Sequence, residues 1–171
     1  MNVTEVWKGI LESNLTSVDE LFVHIDRPLP DPVEGTFARL MVPSTDSAPS
    51  RELAYIYVDS RLEQHWRDFI IIKEMMHCFT PMDRYSPTPA SARGVLSTLV
   101  ERGGRYTLNV AADDAGIFAA AEVILPHSTV ESLLAVGQDL NQIAFRHNLH
   151  PDIVHEICRV DVMHRRKNGS L

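Results

Sequence analysis

Apolar positions recur at helical spacing from the start of the chain. Val3, Val6, Trp7, Ile10 and Leu11 fall on one face, which predicts an amphipathic helix over residues 2–13. Ser17 followed by Glu20 has the form of a capping box and predicts a short second helix through about His24. Pro28, Pro30 and Pro32 then break the chain. Two segments rich in β-branched and aromatic residues follow, 37–42 and 53–58, joined by the polar, turn-forming stretch 43–50. That order predicts an antiparallel pair of strands; a single strand beside an irregular segment is the alternative.

Asp59 and Ser60 supply a candidate N-cap for a helix over residues 61–79 that ends before Pro81. Its apolar bulk is Leu62, Trp66, Phe69, Ile70 and Ile72. The stripe through Leu62, Trp66 and Phe69/Ile70 continues at helical spacing into Lys73 and His77, so two ionisable groups stand where an inward face is due. A local conflict of that kind marks a candidate functional site. Residues 80–91, with Pro81, Pro87 and Pro89, read as a loop, and a helix over about 90–102 stops at Gly103-Gly104. The Ala-rich segment 107–125 carries Asp113 and Asp114 in a mostly apolar context, as a helix buried on most sides would. Ser128 with Glu131 repeats the capping-box form, and two more helices are predicted over 129–146, with a possible break at Gly137, and 151–165, opened by Pro151.

Composition narrows the class. A chain of 171 residues with 44% hydrophobic and 23% charged residues is of ordinary globular make-up and about one domain long. With 23 acidic against 16 basic residues the net charge is −7, which gives no general drive toward nucleic acid or anionic membranes. Two cysteines, Cys78 and Cys158, are too few for a disulfide framework and suit a reducing compartment. There is no secretory signal pattern, and apolar runs such as 115–121 are far too short to span a bilayer. The expectation is a cytoplasmic protein with no membrane partner.

The stretch Lys73-Glu74-Met75-Met76-His77 carries the chemistry. On a helix, positions 73 and 77 lie one turn apart, with side chains about 5–6 Å from each other. In H-E-x-x-H that spacing lets two imidazoles grip zinc while the glutamate activates a bound water. Here the first histidine is replaced by lysine. E-x-x-H alone is weak evidence, but its surroundings, RDFIIIKEMMHCF over residues 67–79, resemble the active-site helix of the ImmA/IrrE family of zinc peptidases, in which an Arg precedes the motif and apolar residues follow it. A second segment, DDAGIFAAAEVILP over residues 113–126, resembles that family's later helix, which opens with a metal-binding glutamate and ends in an L-L-M-P-like tetrapeptide.

The resemblance covers roughly residues 37–165. It implies an α+β fold, mainly helical and zincin-like, with a small antiparallel sheet. The whole chain is then one domain: N-terminal helices over 1–30, sheet and active-site helices over 37–126, C-terminal helices over 127–171. By the same resemblance Glu74 is the catalytic base, and His77 and Asp113 are metal ligands, with Asp114 taking that place if the alignment slips. The family cleaves or inactivates helix-turn-helix repressors and controls phage, mobile-element or stress genes, so a repressor-type protein is the implied partner.

The departure at residue 73 changes the expected activity. A lysine must lose its proton, at a pKa of about 10.4, before it can ligate zinc. With Lys73 charged, His77 and Asp113 are two protein ligands where catalytic zinc usually has three. The Lys73 ammonium instead stands as a metal-replacing cation that neutralises Glu74 and Asp113. The expected protein is therefore a pseudoenzyme without a cofactor, acting by binding. A working zinc endopeptidase, with Cys78, His65 or His127 recruited as the missing ligand, is the alternative, and a phage or mobile-element interaction protein without enzymatic activity is another.

The remaining histidines suggest less. His147, His150, His155 and His164 read as helix-end and surface residues, and His155-Glu156 fails the zinc motif because residue 159 is Arg. The HNLHP segment joins two helices, but the acidic balance and the lack of a basic recognition face argue against direct DNA binding. His164-Arg165-Arg166-Lys167 reads as a solvated helix end. Trp7 and Trp66 are read as core anchors, and both cysteines as buried apolar thiols.

Overall fold

In a computed structural model, described for residues 2–45, 48–79 and 108–168, the chain begins as the sequence suggests. Helix α1 spans Val3–Glu12, and the Asn2 side chain caps it by accepting from the Thr4 and Glu5 amides. Strands β1 (Glu20–His24), β2 (Gly35–Val42) and β3 (Arg51–Val58) follow. Helix α2 spans Gln64–Met75 and runs into a 3₁₀ turn, Met76–Phe79. Beyond residue 107 come α3 (Leu108–Ile124), α4 (His127–Ala135), α5 (Leu140–Arg146), α6 (Pro151–Ile157) and α7 (Val160–Asn168). The loop and helix expected over 80–102 lie outside the described residues. The architecture is α+β.

The sheet corrects one expectation. Its order is β1-β3-β2: β2 and β3 are antiparallel, with Phe37 opposite Ile56, whereas β1 is parallel to β3, with Val23 opposite Ile56. The sheet is therefore mixed, and its third strand comes from the segment expected to be a helix. The Ser17–Glu20 capping box does not form. Asp19 instead donates its amide to the Glu52 carbonyl at 2.8 Å and accepts from the Glu52 amide at 2.6 Å, which starts the pairing with β3. Phe22 and His24 then stack on Tyr55 and Tyr57, with ring centroids 5.2 and 4.9 Å apart. Cross-strand aromatic pairs of this sort stabilise a sheet as i,i+4 pairs stabilise a helix.

The other sheet face is the core side. Ala54, Ile56 and Val58 alternate inward along β3 and, with Phe37, meet α2. Helix α2 also touches α1, α3 and α6, so every residue from Phe69 to Met75 is buried. A helix enclosed on all sides has no polar face to spare. Its start differs from the expected cap: Glu63 is the N-cap and makes no side-chain hydrogen bond there. Asp59 is used elsewhere, accepting from the amides of Leu29 and Arg61 and from the Arg61 guanidinium.

The predicted helix over 129–146 breaks at Gly137, whose φ of +84° suits glycine. The capping box expected at Ser128 occurs one helix later, between Asp139 and Gln142. The helix expected over 151–165 is divided at Cys158-Arg159 into α6 and α7. Arg166, expected in solvent, is buried: Nε donates to Glu122 Oε1 at 2.6 Å, and the terminal nitrogens donate to the carbonyls of Ile157, Ala121 and Leu125. One guanidinium thus closes the C-terminal ends of α3 and α6, where cations complement the helix dipole. Among the described residues no single helix is long and apolar enough to cross a membrane.

Candidate functional site

Lys73 and Glu74 are the last buried turn of α2, and His77 follows in the 3₁₀ turn rather than on the uninterrupted helix expected over 61–79. Because α2 is enclosed, all three side chains lie inside the molecule; Lys73, Glu74 and His77 are 8, 2 and 8% exposed. Lys73 Nζ donates to Glu74 Oε1 at 2.9 Å, and His77 Nε2 lies 3.7 Å from Glu74 Oε2. The Phe37 ring packs on the imidazole at 5.7 Å between centroids.

Two glycines make the room. A Cβ on Gly35 of β2 would lie 2.4 Å from Ile70 Cγ2 and 3.2 Å from Glu74 Oε1, so the carboxylate occupies space that any side chain there would claim. A Cβ on Gly116 of α3 would lie 3.3 Å from the Lys73 carbonyl oxygen and 3.9 Å from His77 Nε2. Sheet, helix and second helix therefore converge on one small polar pocket. Asp113 and Asp114, the carboxylates expected at this site, belong to α3, and their side chains lie outside the described residues.

The donor chemistry decides what this trio can hold. Zinc requires deprotonated donors and normally three of them from the protein. Lys73, Glu74 and His77 offer one imidazole and one carboxylate, and the carboxylate already receives an ammonium. A divalent ion placed there would be repelled by that ammonium at close range. The three residues do not fit a zinc site as they stand.

The reserve ligands named from sequence are engaged elsewhere. Cys78 is buried, and burial, with the nearby Arg39 and Glu52 charges pulling in opposite directions, pushes its thiol up to about 12. That thiol is neither a nucleophile nor a ready ligand at neutral pH. His127 is bonded to Glu122, 3.2 Å from its carboxylate. His65, in the first turn of α2, stacks on His150 with ring centroids 3.6 Å apart.

That last contact belongs to a grouping the sequence did not suggest. His65, His150 and Asp152 each offer one donor atom, all within 4.8 Å of one another, and the group could hold a metal ion. His150 is the helix-end residue the sequence predicts, the N-cap of α6, where its Nδ1 accepts from the Asp152 amide at 3.3 Å. What sequence could not supply was the packing of α6 on α2, which brings the two histidines together. A buried ion pair between Arg39 and Glu52, on the inner sheet face, was likewise illegible, because Arg39 sits in a run that reads simply as strand and Glu52 falls just outside the next one.

A cavity of about 300 Å³, lined in part by Val6, Ile72, Ile124 and His147, contains none of the site residues. No protein-family model matches the chain, and no curated protein matches it in sequence.

Proposed function

We propose that this chain is a catalytically degenerate relative of the ImmA/IrrE zinc peptidases that works by binding a protein partner, with a helix-turn-helix repressor as the partner class and cytoplasmic transcriptional control as its setting. The observation that carries the reading is the 2.9 Å contact from Lys73 Nζ to Glu74 Oε1 inside the fold. In an E-x-x-H peptidase the glutamate must take a proton from a metal-bound water. Here that carboxylate is 2% exposed and one of its oxygens already accepts from the Lys73 ammonium, so it is engaged where a metal-bound water would have to reach it. The inherited geometry supports the ancestry, and the substituted cation supports the loss of chemistry.

Binding is supported by the end of β2. It is an edge strand among the described residues, and Leu40, Met41 and Val42 are exposed in succession, with about half the surface of Leu40 and Met41 open. An edge strand with exposed apolar residues is a template for strand addition by a partner.

The test is a zinc measurement on the purified full chain and two variants. The expected wild type holds no zinc that depends on His77, and Lys73→His gains a zinc that His77→Ala removes. Stoichiometric zinc in the wild type, abolished by His77→Ala and accompanied by cleavage of a repressor-type substrate, overturns the reading in favour of an active peptidase.

A further inference from the structure

The geometry points to a second, independent site: His65, His150 and Asp152 bind a divalent first-row transition ion, zinc being the probe of choice, as a clip between the start of α2 and the start of α6. Two imidazoles and one carboxylate are the donor set of many zinc sites, with a fourth position left to water. The three donors already lie within 4.8 Å of one another, against about 3.3 Å for neighbouring ligands around tetrahedral zinc at bonds of about 2.0 Å. Side-chain rotation alone covers that difference, because His150 and Asp152 are exposed and can move without disturbing the core.

Three further observations favour a cation here. Among the described residues His65 Nε2 is a buried polar atom with no hydrogen-bond partner, and an uncompensated polar atom of that kind is expensive unless something bonds it. Glu63 Oε2 lies 3.6 Å from His65 Nδ1, placed to orient the ring as second-sphere carboxylates do. Asp152 Oδ2 lies 3.7 Å from His150 Nδ1, so two carboxylates flank two imidazoles and the local charge is negative when the rings are neutral. The stacked rings, only 9° from parallel, direct their nitrogens side by side rather than at one point. Metal entry therefore turns the exposed His150 ring out of the stack, and the ion replaces the stacking contact as the link between α2 and α6.

Such a clip stabilises the fold by binding only the folded chain, because His65 and His150 meet only there. It needs nothing from the Lys73–Glu74–His77 cluster, and its fate is separable from that of the proposed function. The experiment titrates metal-free full-length protein with zinc, following stoichiometry by calorimetry and melting temperature, and repeats the series with cobalt to read its visible ligand-field bands. The expected result is one zinc per chain with a raised melting temperature, bound at least about tenfold more weakly in His150→Ala, in Asp152→Ala and, as a second-sphere variant, in Glu63→Gln. His77→Ala is expected to bind as wild type does. A wild-type chain that takes up no stoichiometric zinc, or one whose zinc survives both His150→Ala and Asp152→Ala, overturns the clip; loss of zinc in His77→Ala instead points the ion to the other cluster.

Discussion

Arg166 Nε and Glu122 Oε1 are 2.6 Å apart, and through them the last helix is fastened to the long helix α3. The two partners are unequal. The Arg166 side chain is fully buried and also serves three backbone carbonyls, whereas about a third of the Glu122 side chain is open to water. Burial pushes the Glu122 carboxyl up, but the hydrogen bonds from Arg166 and His127 outweigh it and hold the group below its ordinary value. Arg166→Met should therefore destabilise the fold by about 2–4 kcal/mol, because it strands carbonyls at two helix ends. Glu122→Gln should cost only about 1 kcal/mol, since the guanidinium keeps its carbonyl partners. Denaturant midpoints of the two variants decide the matter; equal losses would mean that the ion pair, not the carbonyl capping, carries the tie.

The same residue shows where sequence reading stops. His164-Arg165-Arg166-Lys167 reads as four polar residues at a helix end, and nothing local marks Arg166 as turning inward. Legibility followed periodicity: α1, β2, β3, α3 and the break at Gly137 were all visible because their side-chain pattern is a property of the segment alone. β1 was misread because Ser17-x-x-Glu20 satisfies a local rule while its pairing with β3 is a tertiary event. The Lys73–Glu74–His77 grouping was legible because the three residues are close in sequence, and the 3₁₀ turn that carries His77 keeps it beside Glu74. The role of Gly35 and the meeting of His65 with His150 were not, since each depends on elements far apart in the chain.

Acid should weaken the fold through Asp59. Hydrogen bonds from the Arg61 side chain and backbone hold its carboxyl at about 2, below the ordinary 3.8, and the same contacts raise the Arg61 guanidinium. A carboxyl depressed in the folded state favours folding while it is ionised. That contribution is complete above about pH 4 and is lost as the pH falls toward 2. Asp59→Asn should lower stability at neutral pH and flatten the stability profile between pH 4 and 2. Urea midpoints across that range measure it; an unchanged acid limb in the variant would show that Asp59 is not the responsible group.

The two glycines at the site should respond differently to alanine. At Gly35 the added methyl would meet Ile70 Cγ2 at 2.4 Å, deep between β2 and α2, so the sheet and helix must part. Gly35→Ala should cost about 1–3 kcal/mol and shift the Glu74 carboxylate. At Gly116 the nearest atom is a carbonyl oxygen at 3.3 Å, and alanine gains about 1 kcal/mol of helix propensity over glycine. Gly116→Ala should therefore stay within about 1 kcal/mol of wild type. Thermal melts of both variants test the contrast, which fails if Gly116→Ala is the more damaging.

The charge pairing at residues 73 and 74 is open to a double-mutant cycle. Lys73→Met leaves a carboxylate that is 2% exposed without its ammonium, and removing one member of a buried pair costs about 3–5 kcal/mol. Glu74→Gln removes the charge but keeps the shape, and should cost about 1–2 kcal/mol because Lys73 loses a strong acceptor. The double variant holds neither charge, so its loss should fall short of the sum of the two single losses by about 1–3 kcal/mol. Urea unfolding of the four proteins gives the coupling directly. Additivity within about 0.5 kcal/mol would mean that the ammonium does not balance Glu74. In that case the cavity would have lost the cation that the proposed function puts in place of a metal, and a binding-only role for this chain would rest on β2 alone.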